Sequence, residues 1–531
     1  MNIALSTTVG AKIVQPIILF IYVLMMVAIA YYCRRKARNV DDYLLAGRGL
    51  NGWMSAFSYG TAYFSAVIFV GYAGKFGWSY GLAATLIGIS NAVIGTYLAW
   101  RVLGRRTRNL TRNLNARTLP EFFEKRYESK HIKLAASLII FIFLIPYSTS
   151  VYQGLAYLFE AIFNIPFIWC IILMAAVTAL YLFFGGYLAT SMSDFVQGII
   201  MLAGVFVMSL MLLNRPEVNW GEGLDRLVAN FGLFPSFESS NGKLLDAPGF
   251  NLIIMMLLTS FGFWGLPQSI HKFYAIKDER AIKQATVVSS AFSLVVGGGA
   301  YFAGALATLF LTRGDFGSMD EAVPAMLTKA LPPAMLGLIM VLVLAASMST
   351  LASLSLSGSS AISVDLYKGY VKPDASDKKV KLMLRVLCLV FVILSAVLAI
   401  LKIDVIVTMM SLSWGTLAGC FIGPYVWGLY SKKVNRAGAW ASIISGLVIT
   451  VVLVLVFGFT EAPAGASFGT VLKTGIGRSP FIGVVAMAAS VVLTYAVSLI
   501  FKKSAPSHGV LIYVGCGERE KSNVGAEATA E

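Results

Sequence analysis

The stretch Trp53-Met-Ser-Ala-Phe-Ser-Tyr-Gly-Thr-Ala-Tyr-Phe-Ser-Ala-Val67 decides the fold of this chain. It is apolar enough to enter a membrane, yet small and hydroxylated residues crowd its middle, including Gly60 and Thr61. Such a segment can break its helix, and unwound backbone at membrane depth survives only where protein buries it or where it lines a polar cavity. The alternative is that the small residues only let two helices pack closely.

The composition places this stretch in a membrane protein. The 531 residues are 58% hydrophobic and 13% charged, against about 45–50% and 25% in soluble domains. The chain has 42 Lys and Arg against 26 Asp and Glu, and the basic residues fall in short loops between apolar runs. Membrane proteins use such loop charges to fix their orientation, so the charge excess does not indicate nucleic-acid binding. We expect an all-α polytopic membrane protein.

Thirteen apolar stretches are candidate transmembrane helices, each of which needs about 20 residues. They are 13–32, 50–75, 80–103, 132–160, 166–184, 190–213, 250–270, 284–312, 335–362, 385–401, 405–430, 437–458 and 480–501. If the loop after the first stretch is cytoplasmic, 32 of the 42 Lys and Arg lie on the cytoplasmic side and 10 outside. We therefore predict a multi-pass protein of the plasma (inner) membrane, with the N-terminus outside and the C-terminus cytoplasmic.

The loops leave little room for a separate soluble domain. The longest loop, 214–249, contains one possible short amphipathic helix near Gly221–Phe231. The tail after Lys503 ends polar and rich in Gly, Ala and Glu, which favours disorder. We predict a single transmembrane domain over 1–502 and a disordered cytoplasmic tail over 503–531.

A second interrupted span is expected five spans after the first. The seventh span contains Phe261-Gly-Phe-Trp-Gly-Leu-Pro267, in which Gly262, Gly265 and Pro267 would interrupt the helix as Gly60 interrupts the second span. Two interrupted spans in corresponding positions are typical of inverted-repeat transporters, whose binding site lies at the breaks.

The ninth span carries a row of hydroxyl groups, since eight of the fourteen residues from Ser347 to Ser360 are Ser or Thr. One helix face collects Ala346, Ser349, Thr350, Ser353 and Ser357. Hydroxyl oxygens that face the carbonyls of an unwound segment would form a neutral oxygen cage, which suits sodium and allows its release. Each hydroxyl alone could instead bond back to the carbonyl four residues earlier, but that explains the clustering poorly.

Few ionisable residues lie within the spans. Asp194, near the cytoplasmic start of the sixth span, either caps that helix or serves as a way-station for a cation. Histidines are predicted only in cytoplasmic loops, at His131, His271 and His508. A membrane enzyme is disfavoured, because acid–base or nucleophilic chemistry needs an intramembrane His, Cys or carboxylate pair.

Candidate solute-binding residues lie at or near the two interruptions, or on spans that face them. They are Tyr63, Ser65, Tyr147, Phe263, Trp264, Pro267 and Trp414. Aromatic side chains with a polar group suit a solute pocket, although a buried aromatic is often simply part of the core.

Three motifs resemble the sodium:solute symporter family. They are Asp41-Asp-Tyr-Leu-Leu-Ala-Gly-Arg-Gly-Leu50, Gly185-Gly-Tyr-Leu-Ala-Thr-Ser-Met-Ser-Asp-Phe-Val-Gln197, and Met348-Ser-Thr-Leu351 followed by Ser359-Ser-Ala-Ile-Ser-Val-Asp-Leu-Tyr367. Their order and spacing agree over about residues 13–500, and the chain is most similar to the sodium/proline and sodium/pantothenate symporters.

The resemblance implies a LeuT-type fold with a 5+5 inverted-repeat core. The first repeat would cover about 50–213 and the second about 250–430. One extra N-terminal span (13–32) and two extra C-terminal spans (437–458 and 480–501) would complete the thirteen helices.

The resemblance also implies where sodium binds. The ligands would be the backbone carbonyls of Thr61, Phe64 and Ala346 and the hydroxyls of Ser349 and Thr350. Asp194 and Ser353 would take part in sodium release or in a second sodium site. Ala352 replaces a hydroxyl that this second site needs, so we expect one sodium ion per cycle.

The resemblance leaves the solute open between two branches. Proline symporters carry an aspartate at the position of Tyr63 and a tryptophan at that of Thr259, whereas Tyr147 and Pro267 match positions implied in proline binding. Pantothenate-like relatives share Tyr63 and the Gly-Leu-Pro sequence that ends at Pro267. The expected function is sodium-coupled symport of a small organic solute into the cell by alternating access. The solute would be an amino acid such as proline, or a monocarboxylate or pantothenate-like acid.

Sodium as coupling ion, the solute and the lipid bilayer are the partners we expect. No other cofactor, no nucleic acid and no obligatory protein partner is indicated. The alternatives are proton coupling on the same fold and a solute sensor; a channel is less favoured, because the pattern predicts two broken helices rather than a continuous polar pore.

Overall fold

The computed structural model describes residues 2–34, 44–184, 187–502 and 506–514. Helices occupy most of these ranges, and the pairing of Leu50 with Ile276 is an isolated β-bridge. The predicted all-α class is confirmed.

The first half of the chain, up to the long loop after the sixth span, folds into helices of very different lengths. They are α1 (Asn2–Arg34), α2 (Gly52–Tyr63), α3 (Ala73–Tyr80), α4 (Thr85–Ser90), α5 (Arg105–Asn113), α6 (Leu119–Tyr127), α7 (Lys130–Phe163), α8 (Phe167–Phe184), α9 (Tyr187–Leu213) and α10 (Gly221–Phe231). Wider π-helical turns precede α3 at Val67–Tyr72 and join α4 to α5 at Asn91–Leu98 and Trp100–Gly104.

The second half repeats this alternation of long and short helices. They are α11 (Pro248–Gly262), α12 (Pro267–Ala275), α13 (Glu279–Phe310), α14 (Ala322–Ala330), α15 (Pro333–Ser360), α16 (Asp377–Ile400), α17 (Ile406–Tyr430), α18 (Arg436–Glu461), α19 (Phe468–Gly477), α20 (Ser479–Ile500) and α21 (His508–Leu511). A π-helical segment, Ala361–Val371, extends α15.

Within the described residues, eleven helical segments are long and apolar enough to cross a membrane. One of them, Val67–Asn113, is 47 residues long. It contains the end of α3 at Gly81, where a φ of +54° favours glycine. This segment therefore contains the outer half of the second predicted span and the whole of the third predicted span. Helix α8 corresponds to the fifth predicted span. Each of the thirteen predicted spans has a helical counterpart.

The second span is broken as expected, but the break lies beyond Gly60. Helix α2 ends at Tyr63, and Phe64 is extended, with φ −105° and ψ 117°. Gly60 itself is helical, and a Cβ at this position would lie 2.4 Å from the ring of Phe292. The prediction of an interruption at Gly60 was therefore wrong by four residues, and Gly60 serves close helix packing instead.

The seventh span is also broken. Helix α11 ends at Gly262, a 3-10 turn covers Phe263–Gly265, and α12 begins at Pro267. Proline suits a first helical position, where its missing N–H needs no partner. The span continues to the end of α12, past its predicted end at residue 270, so the prediction that His271 lies in a loop was wrong.

The central helix of the bundle is α17, since 94% of the residues in its most apolar 18-residue stretch are buried. The corresponding fraction is 18% for α1 and 28% for α18. The first and twelfth spans therefore lie at the periphery, as expected for spans added outside a ten-helix core. The division of that core into two repeats stays a prediction.

The long loop after the sixth span contains the expected short helix, α10, with the predicted bounds. Arg478 ties this loop to the one before α20, because its guanidinium lies 2.6 Å from Asp246 and 2.8 Å from Glu461. Hydrogen bonds from Asn241 and Arg478 hold the pKa of Asp246 below its usual value.

We predict that Gly304→Ala in α13 prevents normal folding. A Cβ at Gly304 would lie 2.1 Å from the carbonyl oxygen of Ala73, and one at Gly77 would meet the backbone of Gly304 at 2.1 Å. Overpacking of this kind costs about 1–3 kcal/mol or more. The yield of monodisperse protein and its thermal unfolding temperature measure the effect. Gly298→Ala, on the same helix with open space around it, is the control, and equal losses in both variants would contradict the packing account.

Candidate functional site

The break in the second span faces α15 in the interior of the bundle. The last backbone hydrogen bond of α2 runs from the Phe64 N–H to the Gly60 carbonyl at 3.2 Å. After this point the chain needs other partners, and the Ala66 N–H donates to the hydroxyl of Ser347 on α15 at 3.1 Å. The ninth span is thus held directly against the break in the second.

The hydroxyls predicted to bind sodium do face the break. Thr350 Oγ1 lies 3.2 Å from the carbonyl oxygen of Thr61 and 3.1 Å from that of Ala346. Three of the five predicted ligand oxygens therefore lie together, and Ser349 Oγ lies beside them, 2.8 Å from the Thr61 hydroxyl. Phe64, the fifth, is buried at the break itself. Oxygen donors without charge in this arrangement suit a sodium ion.

Ser349 also joins the cage to Asp194, because its hydroxyl lies 2.6 Å from Asp194 Oδ1. A serine hydroxyl has one hydrogen to donate and two lone pairs. If the hydrogen is donated to the carboxylate, both lone pairs of Ser349 remain for a cation. In this arrangement Asp194 would orient the Ser349 hydroxyl without being a ligand of the predicted cage itself.

Asp194 does not cap its helix. It is the eighth residue of α9, and its side chain is fully buried. Its second carboxylate oxygen accepts a hydrogen bond from Ser58 on α2 at 2.5 Å. The capping alternative is therefore wrong, and Asp194 lies in the interior between α2 and α15.

Lys272 on α12 is the main residue that the sequence interpretation missed. Its ammonium donates to Ser58 Oγ at 2.9 Å and to Ser353 Oγ at 3.1 Å, and it lies 3.5 Å from Asp194 Oδ2. Both Lys272 and Asp194 are about 1% exposed. A buried ion pair with hydrogen bonds to neighbouring hydroxyls satisfies both charges. Two of the residues predicted for a second cation site, Asp194 and Ser353, thus already contact a cation of the protein.

Four of the five predicted solute-binding aromatics form one cluster next to the proposed cage. Tyr63 stacks on Phe263 with ring centroids 3.9 Å apart, and Trp414 on α17 lies 5.6 Å from Phe263. Tyr147 on α7 packs edge-on against Trp414 at 5.6 Å. The cluster therefore joins both breaks to α7 and α17.

Two polar groups in this cluster have no hydrogen-bond partner among the described residues. They are the Tyr147 hydroxyl and the Trp414 indole N–H, and both side chains are buried. Buried donors without a partner cost about 1–3 kcal/mol each. A polar ligand at this position would satisfy both.

The other predicted solute residues lie at the edges of the cluster. Ser65 is buried at the break, where its hydroxyl accepts the Val67 N–H at 3.3 Å. Pro267 begins α12. The Trp264 indole N–H donates to the Ile94 carbonyl at 3.1 Å, so this ring faces the third span rather than the cluster.

Tyr63 and Thr259 contact each other directly. The Tyr63 hydroxyl donates to the Thr259 carbonyl at 2.7 Å, and the Thr259 hydroxyl lies 2.8 Å from Asn91 Oδ1. These are the two positions at which the chain departs from the pattern of proline symporters. The departures are therefore paired in space, although 196 positions separate them in sequence.

The sequence model of the sodium:solute symporter family matches residues 43–446. The osmoregulated proline transporter OpuE of Bacillus subtilis is 30% identical over 437 residues, which cover 80% of this chain and 86% of that protein. A sodium/proline symporter of Staphylococcus aureus is 29% identical over 460 residues, which cover 85% of this chain and 88% of that protein.

Two solved structures share the fold. A Na+-coupled sialic acid symporter in a substrate-bound, outward-open state gives a TM-score of 0.72 at 18% identity and covers 92% of this chain and 98% of its own. Mhp1, a nucleobase-cation-symport-1 family transporter in a closed conformation, gives a TM-score of 0.53 at 14% identity. The match covers 89% of this chain and 97% of Mhp1. These likenesses confirm the expected LeuT-type architecture.

Proposed function

This chain belongs to the sodium:solute symporter family and is a sodium-coupled solute symporter, and we propose that it imports a compact amino acid of the proline type together with one sodium ion per cycle. It is a transporter and not an enzyme. The observation that carries the proposal is the position of Thr350, whose hydroxyl lies within 3.2 Å of carbonyls from both the broken second span and the ninth span.

The sodium ion would bind between α2 and α15. Its ligands would be the carbonyls of Thr61, Phe64 and Ala346 and the hydroxyls of Ser349 and Thr350. A bound ion would replace the hydrogen bonds that now join the two helices and would fix the broken segment. Because the solute cluster begins at Tyr63, ordering this segment would raise solute affinity, and the coupling must be reciprocal.

The stoichiometry of one sodium rests on Lys272. A second cation would need Asp194 and Ser353, and the Lys272 ammonium is hydrogen-bonded or ion-paired to both. Ala352 also lacks a hydroxyl for that site. The lysine therefore supplies the second positive charge permanently, and one transported sodium ion carries one net charge with a zwitterionic solute. That charge is worth about 2.3 kcal/mol per 100 mV of membrane potential.

The solute would lie against Tyr63, Tyr147, Phe263 and Trp414. The unpartnered donors of Tyr147 and Trp414 suit a carboxylate, and the aromatic faces suit a compact apolar ring or chain. The proline transporters among the relatives support an amino acid of this type. We further propose that the N-terminus lies outside and the C-terminus in the cytoplasm, from the distribution of loop charges.

A short monocarboxylate or pantothenate-like acid is the second candidate. The contact between Tyr63 and Thr259 favours it, because a tyrosine replaces the carboxylate that would pair with the amino group of proline. An anionic solute carried with one sodium ion would make the transport electroneutral. The charge carried per cycle therefore separates the two candidates.

Uptake into proteoliposomes tests the proposal. Radiolabelled proline, pantothenate and short monocarboxylates are offered to the purified full chain, with and without an inward sodium gradient and at two membrane potentials. We expect sodium-dependent proline uptake that increases with an inside-negative potential. Sodium-dependent uptake of a monocarboxylate that does not change with membrane potential would favour the second candidate. Uptake that does not depend on sodium would contradict both candidates.

We predict that Trp414→Phe raises the KM for the solute about tenfold or more, because a hydrogen bond to a charged group contributes about 1.5–3 kcal/mol. Trp264→Phe is the matched control, since the N–H of Trp264 already has a partner in the Ile94 carbonyl. Its KM should stay within about twofold of wild type. Equal increases of KM in both variants would contradict the assignment of Trp414 to the solute site.

A further inference from the structure

A pocket of about 430 Å³ opens between the third and eighth spans, on the side that the loop charges predict to be cytoplasmic. One wall comes from the π-helical turns and the start of α5, with Arg101 and Arg105, and the other from the first turns of α13, with Glu279 and Lys283. None of these residues belongs to the sodium or solute sites. The pocket is therefore a separate feature of the molecule.

The pocket carries an excess of positive charge. Glu279 is paired with Arg105, with 2.6 Å between Oε1 and Nε. Arg101 and Lys283 are exposed, and within the described residues neither side chain has a hydrogen bond or an ion pair. Two uncompensated cations thus flank one cavity, which favours an anionic ligand.

An apolar strip continues from the pocket along the same two helices. Val93 and Tyr97 precede Arg101 at intervals of four residues and are 53% and 45% exposed. Val287 and Leu294 follow Lys283 on α13 and are 69% and 50% exposed. In a membrane these side chains would face the acyl chains. The surface is therefore basic at its predicted cytoplasmic end and apolar toward the middle of the membrane.

Trp100 supplies an independent sign of a ligand. It lines the pocket and is 1% exposed, yet its indole N–H has no hydrogen-bond partner among the described residues. Its ring contacts Tyr59 of α2 at 5.4 Å and Phe273 of α12 at 4.8 Å. The pocket wall therefore touches the helices on the predicted cytoplasmic side of both breaks.

We propose that this pocket binds the phosphate headgroup of an anionic phospholipid, whose acyl chains lie along the apolar strip. The phosphate would pair with Arg101 and Lys283, as basic pockets between transmembrane helices do with anionic headgroups. An uncharged or zwitterionic lipid would not compensate the two free cations. A lipid held against Trp100 would stabilise the packing of α2 and α12 on the third span.

Native mass spectrometry of the purified full chain tests the binding. The protein is exchanged into detergent with defined amounts of phosphatidylglycerol or phosphatidylcholine, and the retained lipids are counted. We expect wild type to retain one more phosphatidylglycerol than Arg101→Gln/Lys283→Gln, whose affinity should fall roughly tenfold or more, since each basic contact contributes about 1 kcal/mol. Glu279→Gln removes the competing carboxylate and should strengthen retention.

The control variant is Lys378→Gln/Lys379→Gln, which removes two exposed basic residues at the start of α16 on the same predicted side. It should retain phosphatidylglycerol as wild type does. Equal retention by the pocket variant and this control would overturn the proposal, as would displacement of the lipid by millimolar inorganic phosphate. If Arg101→Gln/Lys283→Gln does not fold, Glu279→Gln alone tests the proposal. Unchanged or weaker retention of phosphatidylglycerol by Glu279→Gln would then contradict it.

The functional consequence is measured separately and rests on sodium-coupled symport. We expect sodium-driven uptake by wild type to be several-fold faster in liposomes with phosphatidylglycerol than in phosphatidylcholine alone, and the pocket variant to be slow in both. A variant that responds to phosphatidylglycerol as wild type does would contradict a role for this lipid in transport. Because lipid counting needs no solute, a wrong assignment of the solute leaves the binding test intact.

Discussion

Replacing Ser349 and Thr350 together by alanine is expected to raise the sodium concentration needed for half-maximal uptake roughly 100-fold. Each change removes one oxygen from the proposed cage, and an interaction of a hydroxyl with a charge contributes about 1.5–3 kcal/mol. The carbonyls of Thr61 and Ala346 remain, so the variant should still bind sodium weakly. Sodium titration of solute uptake in proteoliposomes measures the change.

The matched control is Ser355→Ala/Ser359→Ala on the same helix. These hydroxyls are also buried, but they have no hydrogen-bond partner among the described residues, so their removal should leave sodium dependence unchanged. A similar shift in both double variants would indicate general damage to α15. An unchanged sodium requirement in Ser349→Ala/Thr350→Ala would place the ion elsewhere.

Replacing Lys272 by glutamine is expected to destabilise the protein strongly. The change leaves the carboxylate of Asp194 buried without its partner, and breaking a buried pair in this way costs about 3–5 kcal/mol. Added sodium should recover part of this loss, because a second ion can take the place of the ammonium beside Asp194 and Ser353. The Hill coefficient for sodium should then rise above one. Thermal unfolding at several sodium concentrations and sodium titration of uptake measure both effects.

Two further variants separate charge from packing. Lys272→Arg keeps the positive charge and should retain a Hill coefficient of one. Lys272→Gln/Asp194→Asn removes both charges, so it should be more stable than Lys272→Gln alone, and its double-mutant cycle should give a large coupling energy. Independent, additive effects of the two substitutions, or a Hill coefficient of one in Lys272→Gln, would contradict the assignment of Lys272 as a permanent second cation.

The sequence was sufficient to predict that two spans are broken, because glycine, proline and hydroxylated residues cluster within otherwise apolar runs. It did not locate the first break correctly. Gly60 stands out in the sequence, but its function is to admit the ring of Phe292. The break follows Tyr63, where α15 offers the Ser347 hydroxyl to the Ala66 N–H, and a contact from a distant span leaves no local signal.

Lys272 escaped prediction because a charge near the end of an apolar stretch normally marks a loop. Here the half-helix continues past the charge, since Asp194, Ser58 and Ser353 from three other helices satisfy the ammonium. The one available signal was the position of the lysine on a helix that begins at Pro267. The sequence alone could not show that an aspartate 78 positions earlier would meet it.

The family resemblance defines the proposed sodium ligands more completely than the proposed solute residues. The proposed ligands are backbone carbonyls and two adjacent hydroxyls, which a motif preserves. The solute cluster depends on which rings meet, and Trp264 turns away to bond the Ile94 carbonyl. The contact between Tyr63 and Thr259 likewise depends on tertiary packing of the two broken spans.

The ratio of sodium to solute carried per cycle tests the central claim most directly. Simultaneous uptake of ²²Na+ and the radiolabelled solute by the wild-type protein in liposomes gives this ratio from the two initial fluxes. The account predicts one sodium ion per solute molecule, with both fluxes lost in Ser349→Ala/Thr350→Ala at moderate sodium. A ratio of two, or solute uptake without any sodium flux, would contradict it.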